Sequence, residues 1–127
     1  MQAIFCKRRE HWIVASNMLK HTVTWHQTYS NTVNVYDSMF DELDQEASIL
    51  IQQIFHNSNN SSGVKLLMKN LQKQHGYADC GIFTIAVLTS LAYKEDPSTV
   101  LYDQKKLREH LTQCFAAKLL TLFPRLM

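Results

Sequence analysis

Gly76-Tyr77-Ala78-Asp79-Cys80-Gly81 leads directly into Ile82-Phe83-Thr84-Ile85-Ala86-Val87-Leu88-Thr89-Ser90-Leu91-Ala92-Tyr93, a run of twelve residues without one charged side chain. Twelve residues is long for a strand, and with Ala86, Leu88 and Leu91 in it the run reads as a buried helix. A helix that apolar needs cover from the segments on either side. The chain has only three glycines, and two of them, Gly76 and Gly81, bracket Cys80. Glycine serves where the backbone turns sharply or is approached closely. Cys80 is thereby placed at the start of the helix, where unpaired N–H groups and a partial positive charge stabilise a thiolate. Two readings stand at this point: a nucleophile, or a structural cysteine at a tight loop-to-helix joint.

Working back toward the N-terminus, Ile4-Phe5-Cys6 and His11-Trp12-Ile13-Val14-Ala15 are rich in aromatic and β-branched residues. They read as two short strands with the basic run Lys7-Arg8-Arg9 as the turn between them. Ile13 and Ala15 face one side, Trp12 and Val14 the other. Residues 16–31 are mostly polar with no clear period, which predicts a loop or an irregular hairpin. Val33-Asn34-Val35-Tyr36 alternates and ends at the turn-forming pair Asp37-Ser38. Leu43, Ala47, Leu50, Ile51 and Ile54 recur at helical spacing, an amphipathic helix of about three turns. The Asn/Ser stretch from Asn57 to Gly63 is an exposed loop rather than a domain linker.

Beyond that loop, Val64, Leu66 and Met68 alternate with Lys65 and Lys69 as in a further strand. After the buried helix, Asp103 is an N-cap candidate for a last helix carrying Leu107, Leu111, Cys114 and Phe115 on one stripe until Pro124. The expected fold is α+β. A small, mostly antiparallel sheet bears His11 and Asp37 and packs against the buried helix that begins at Cys80, with flanking helices near 43–55 and 103–122.

Composition bounds the class. With 127 residues, 46% hydrophobic and 19% charged, the chain has the profile of one globular domain able to bury a real core. Its formal charge of +2 comes from 13 basic and 11 acidic residues scattered along the sequence, so no strong field toward nucleic acid or anionic membrane is expected. Lys7-Arg8-Arg9, the densest basic run, reads as a solvated turn before a strand. Three cysteines, Cys6, Cys80 and Cys114, with no CxxC pair argue against a disulfide framework and a zinc site, and for a reducing compartment. No signal-peptide core and no stretch of 18 apolar residues is visible, so the expectation is a protein neither secreted nor membrane-spanning.

A thiolate nucleophile needs a base within hydrogen-bond reach, and the base needs an acceptor on its other ring nitrogen. His11 heads a strand next to an aromatic residue, and Asp37 ends the next one. If these strands pair, their ends bring imidazole and carboxylate together, because neighbouring strands lie about 4.8 Å apart. The alternative is a surface histidine and a turn aspartate. His21, His26 and His56 fall in polar or loop contexts and read as solvated, and His75 as bordering a site rim. Cys6 and Cys114 lie in apolar patterns and read as core thiols.

The order His11-Trp12, then Val35-Tyr36-Asp37-Ser38, then Gln74 followed six positions later by Cys80 within Asp79-Cys80-Gly81, resembles the signature of the ubiquitin-like-protein proteases, the SUMO-deconjugating cysteine peptidases and their relatives. The resemblance spans residues 3 to about 123, with its three blocks in the family's order. It implies a papain-like cysteine protease fold with Cys80 as nucleophile, His11 as general base and Asp37 as the carboxylate fixing the imidazole tautomer. Gln74 matches the side-chain donor of the oxyanion hole, preferred over its neighbour Gln72, which sits two residues too early. Trp12 matches a tryptophan walling the channel for a substrate's Gly-Gly tail, with a core aromatic as its other reading.

By the same resemblance, the reaction is cleavage after the C-terminal Gly-Gly of a ubiquitin-like protein or its conjugates, by a monomer without metal or organic cofactor, in the nucleus or cytoplasm. Residues 1–127 correspond to a single partial catalytic domain lacking the family's N-terminal portion, because only ten residues precede His11. Asn17 to Thr32 looks inserted relative to compact members, a change that costs little on a surface. Two further functions compete: a catalytically silent module that binds ubiquitin-like proteins, and acyl transfer by a Cys/His/Asp site.

Overall fold

Cys6 and Lys7 accept backbone hydrogen bonds from Arg9 and Glu10, both at 3.2 Å, and Glu10 takes a left-handed φ of 50°. That turn folds strand β1 (Gln2–Cys6) back on strand β2 (His11–Ser16) as an antiparallel hairpin in which Cys6 stands opposite His11. The computed structural model describes residues 1–17, 32–56 and 63–126. Strand β3 (Thr32–Tyr36) pairs antiparallel with β2, Val14 facing Tyr36. The expected loop at 16–31 therefore lies outside the described residues except for Ser16, which ends β2, and Asn17. So does nearly all of the loop expected at Asn57–Gly63.

The sheet is mixed. Strand β4 (Lys65–Met68) runs parallel to β3, Val33 beside Leu66, and the strand order is β1-β2-β3-β4. Two of the three pairings are antiparallel, as expected; the third is parallel because helix α1 (Gln45–Ile54) intervenes. A parallel neighbour requires such a crossover, since the chain must return to the end it left. Asp44 starts α1 by accepting from the Ala47 N–H at 2.9 Å, a side-chain N-cap.

Side-chain alternation splits the sheet into two faces. Ile4, Cys6, Ile13, Ala15, Val33 and Val35 pack with Ala47 and Ile51 of α1. Val14 and Tyr36 face the other way, onto Ile82, Phe83, Ala86, Val87 and Leu91 of helix α2 (Cys80–Ala92). Buried hydroxyls on α2 are satisfied: Thr89 donates to the Ile85 carbonyl at 2.7 Å, and Ser90 meets the Tyr102 hydroxyl at 2.7 Å. The described chain is thus an α+β arrangement with the sheet between α1 and α2, and α2 lies across β2.

Helix α3 (Leu107–Ala117) is shorter than the 103–122 expected. Asp103 precedes only a 3-10 turn, Gln104–Lys106, and its side chain makes no cap bond. At the other end Lys118 turns left-handed at φ 55° and Leu119 N–H bonds back to Cys114. The buried stripe is also narrower: Leu107 and Cys114 are buried, but Phe115 is 74% exposed, one position too far around the helix. The chain then returns extended, so that Tyr102 bridges to Arg125.

Candidate active site

Asp37 follows the last paired residue of β3 and turns its carboxylate back on its own chain. Its Oδ1 accepts from the backbone N–H of Met39 at 2.8 Å and of Phe40 at 3.0 Å. The same oxygen lies 2.6 Å from Nε2 of His11. A carboxylate oxygen bonded this way can only accept, so Nε2 carries the hydrogen and donates it. In the neutral ring Nδ1 is then the acceptor nitrogen, free to take a proton. His11 is 0% exposed and Asp37 2%, and Nδ1 is buried with no hydrogen-bond partner among the described residues. The Phe40 ring stands edge-on to the imidazole with centroids 5.5 Å apart, and the Arg9 guanidinium lies 4.2 Å over Phe40. Imidazole and carboxylate are thus brought together as the strand pairing predicts.

The residue after Asp37 collects Gln74. Ser38 Oγ donates to Gln74 Oε1, and the Gln74 N–H donates to the Ser38 carbonyl at 2.7 Å. Gln74 Nε2 in turn donates to the carbonyl of Gly76 at 3.1 Å. The two glutamines differ plainly. Gln72 spends both ends of its amide on Tyr102, donating to its carbonyl at 3.0 Å and accepting its N–H at 2.6 Å. Lys73 between them donates to the Asp37 carbonyl at 2.9 Å and to Phe40 at 3.3 Å. In segment 72–75 the middle pair, Lys73 and Gln74, thus holds the Asp37 loop, while Gln72 and His75 hold the segment at 102–104.

Cys80 is the first residue of α2 and is half-buried. Cys80, Thr84 and Val87 recur at four and three residues and share one stripe of the helix. Thr84 and Val87 pack toward Trp12, Ser38 and the core residues Val14, Tyr36, Leu71 and Phe83 around a gap too small for a water molecule, and Cys80 heads the same stripe. Trp12 is 40% exposed rather than a core aromatic, and it packs tilted against Phe5 with centroids 5.1 Å apart. The alternation of β2 places His11 with Ile13 and Ala15 on the α1 side, and Trp12 with Val14 on the α2 side. Cys80 and His11 are not hydrogen-bonded to each other, since Nδ1 has no partner.

Gly76 and Gly81 play different parts. Gly76 has φ 78°, a left-handed turn that glycine adopts without strain. Gly81 lies inside the first turn of α2, and a Cβ there would meet nothing within 4 Å. Gly81 has no left-handed φ to require glycine, only open space where a Cβ would stand.

Other candidates settle simply. Cys6 and Cys114 are buried, and burial, reinforced by Asp44, Asp37 and Glu46, pushes the Cys6 thiol up to about 11. His56 and His75 are exposed, and His21 and His26 lie outside the described residues. His110, not singled out from the sequence, packs on Phe123 and bonds the Thr121 carbonyl at 3.0 Å. Sequence reasoning also missed Phe40, Ser38 as the partner of Gln74, and Gln104 and Arg108, which bind Asp79. The Asp37-Ser38 pair was the one available signal among these; the rest depend on tertiary contacts. Among the described residues, no group of three or more His, Cys, Asp or Glu side chains is placed to hold a metal ion, and no helix is long and apolar enough to cross a membrane. No family model matches this chain, and neither a curated protein nor a solved structure is found similar to it.

Proposed function

We propose that the chain is a papain-like thiol peptidase of the ubiquitin-like-protein protease type, cleaving after a C-terminal Gly-Gly of the SUMO or ubiquitin class. The observation that carries this reading is the His11 imidazole. It is fully buried, tied through Nε2 to Asp37, and left with an Nδ1 that has no hydrogen-bond partner among the described residues. Buried polar atoms without partners are rare, and a base waiting for a thiol is one reason to keep one.

In the proposed reaction, Cys80 Sγ gives its proton to His11 Nδ1 and attacks the carbonyl carbon of the terminal glycine. Gln74 Nε2–H, released from Gly76, and the Cys80 N–H stabilise the oxyanion. The amine leaves with the proton from His11, and water hydrolyses the thioester. Cys80 and His11 are not hydrogen-bonded in the resting structure, so this reading requires that bond to form with substrate bound, when catalytic hydrogen bonds often tighten. The open space at Gly81 and the half-exposed Trp12 suit a tail without side chains.

The missing Cys80–His11 bond favours one second reading, a silent module that binds ubiquitin-like proteins without cleaving them. A panel of ubiquitin-like proteins carrying C-terminal electrophiles separates the two. The peptidase forms a covalent adduct at Cys80 that is lost in Cys80→Ser and in His11→Ala; binding without any adduct across the panel ends the peptidase reading. Acyl transfer is checked by incubation with acyl-CoA, where a labelled Cys80 replaces the protein adduct.

A further inference from the structure

Among the described residues four helical starts carry an aspartate at the capping position; Asp44 and Asp96 cap, whereas Asp79 and Asp103, the latter before the 3-10 turn Gln104–Lys106, make no side-chain cap bond. Asp44 caps α1 through the Ala47 N–H at 2.9 Å, and Asp96 caps the 3-10 turn Pro97–Thr99 through the Ser98 N–H at 3.0 Å. Asp79 stands in the same position before α2 but makes no side-chain cap bond, with φ −106° and ψ 11° instead of the extended backbone a cap adopts. Its carboxylate is turned outward. Gln104 Nε2 donates to Oδ2 at 2.8 Å, and Arg108 donates to Oδ1 through Nε at 3.1 Å and Nη2 at 2.6 Å.

The same two side chains hold the rest of the loop. Gln104 Oε1 accepts the His75 N–H at 2.8 Å and its Nε2 donates to the His75 carbonyl at 2.8 Å, while Arg108 Nη2 donates to the Ala78 carbonyl at 3.1 Å. Gln104 therefore bridges both ends of the loop between Gln74 and Cys80. The Gln104 hydrogen bond, helped by Arg108, also holds the Asp79 carboxyl below the usual carboxylate range, so it stays charged at neutral pH.

Released from Gln104 and Arg108, and with its backbone turned to the extended conformation of Asp44 and Asp96, a charged Asp79 reaches the cap position of α2. That would occupy the first N–H groups of the helix and set a negative charge beside Cys80. Both effects oppose a thiolate there and an oxyanion next to it. We infer that Gln104 and Arg108 are positioning residues that draw the Asp79 carboxylate away from the first turn of α2, keeping its N–H groups open for negative charge at Cys80. The inference rests on reading Cys80 as the nucleophile.

The test uses the full chain and a small reagent, iodoacetamide at pH 7, with labelling of Cys80 followed by mass spectrometry and the melting temperature measured alongside. In Gln104→Ala/Arg108→Gln, freed Asp79 caps the helix and Cys80 labelling slows about tenfold, the size of one unscreened neighbouring charge at short range. Adding Asp79→Ala to that variant returns the rate to within about twofold of wild type, which a merely structural brace would not do. A double variant that labels at the wild-type rate, or a slow rate that persists after Asp79→Ala is added, overturns the inference. Should the double variant fail to fold, Asp79→Ala alone decides: labelling near the wild-type rate is expected, and a tenfold loss overturns it. Iodoacetamide needs no substrate recognition, so these ratios are independent of whether any ubiquitin-like protein forms an adduct.

Discussion

Nε2 of His11 donates to Oδ1 of Asp37 at 2.6 Å, and that one oxygen also accepts two backbone N–H groups of the turn that follows. The imidazole and the loop at 37–40 are therefore held by a single buried acceptor. Removing it in Asp37→Ala strands three donors at once. Chemical denaturation is expected to show a loss of about 3 kcal/mol or more, the scale of breaking a buried charge-assisted pair. Asp37→Asn keeps an acceptor oxygen and should recover most of that loss. Equal stability of the Ala and Asn variants would mean that the acceptor is not what holds the loop.

Thiol reactivity should follow position. Cys80 at its half-buried helix start is expected to react with iodoacetamide ahead of Cys6 and Cys114, both buried. Cys6, whose thiol is pushed up to about 11 chiefly by burial, should react only as fast as the native fold opens. Site-resolved mass spectrometry over a time course measures this order. Cys114 labelling as early as Cys80 would contradict it.

Gln72 and Gln74 should fail in different ways. Gln74→Ala removes the proposed oxyanion donor and is expected to lower kcat about 10²- to 10³-fold on a ubiquitin-like precursor. Gln72→Ala breaks its two bonds to the Tyr102 backbone and should lower the melting temperature instead. A matched comparison of kcat and melting curves shows whether the effects are exchanged.

Gly81→Ala poses stability against function. Alanine is favoured over glycine in a helix by about 1 kcal/mol, and its Cβ meets no atom within 4 Å. The melting temperature should rise while kcat/KM for a Gly-Gly-ended substrate falls, because the methyl intrudes beside Cys80. Unchanged kcat/KM would place the substrate path elsewhere.

Acid should weaken the fold through two clamped carboxylates. Asp79 is held low by Gln104 and Arg108, and Glu95 by Arg125, which binds it at 2.7 and 3.0 Å. A carboxyl whose folded value lies below its unfolded value adds stability above the unfolded value, about 4, and loses it as pH falls through the folded value. Melting temperatures from pH 7 down to pH 3 should therefore drop less in Asp79→Asn/Glu95→Gln than in wild type. Parallel curves for the two proteins would exclude these pairs as contributors.

The elements with strong periodicity were legible without coordinates. The uncharged run that became α2, the alternation of Ile13 and Ala15 against Trp12 and Val14, and the spacing around Ala47 and Ile51 are each local patterns that burial later rewards. His11 and Asp37 could be joined in advance because strand pairing makes neighbours of strand ends. What stayed hidden depends on partners distant in the chain. Asp103 looks like a cap yet precedes only a 3-10 turn, while Asp79 belongs to Arg108 and Gln104, a pairing no local pattern encodes. The helical spacing predicts a buried Phe115, yet the structure turns it to solvent at 74% exposure. The parallel direction of β4 likewise depends on the α1 crossover rather than on the alternation of its own residues.

That direction has a kinetic side. The β1–β2 hairpin can zip from its turn, but β4 reaches β3 only after a long excursion of chain has closed, a slow and entropically costly event. A slip of one residue in that late pairing would exchange the sides of Leu66 and Leu67 and carry Gln74 off Ser38. Molecules trapped that way would keep the hairpin and α2 while their glutamine points at solvent. A refolded sample can therefore regain its helical signal well before it regains a formed site.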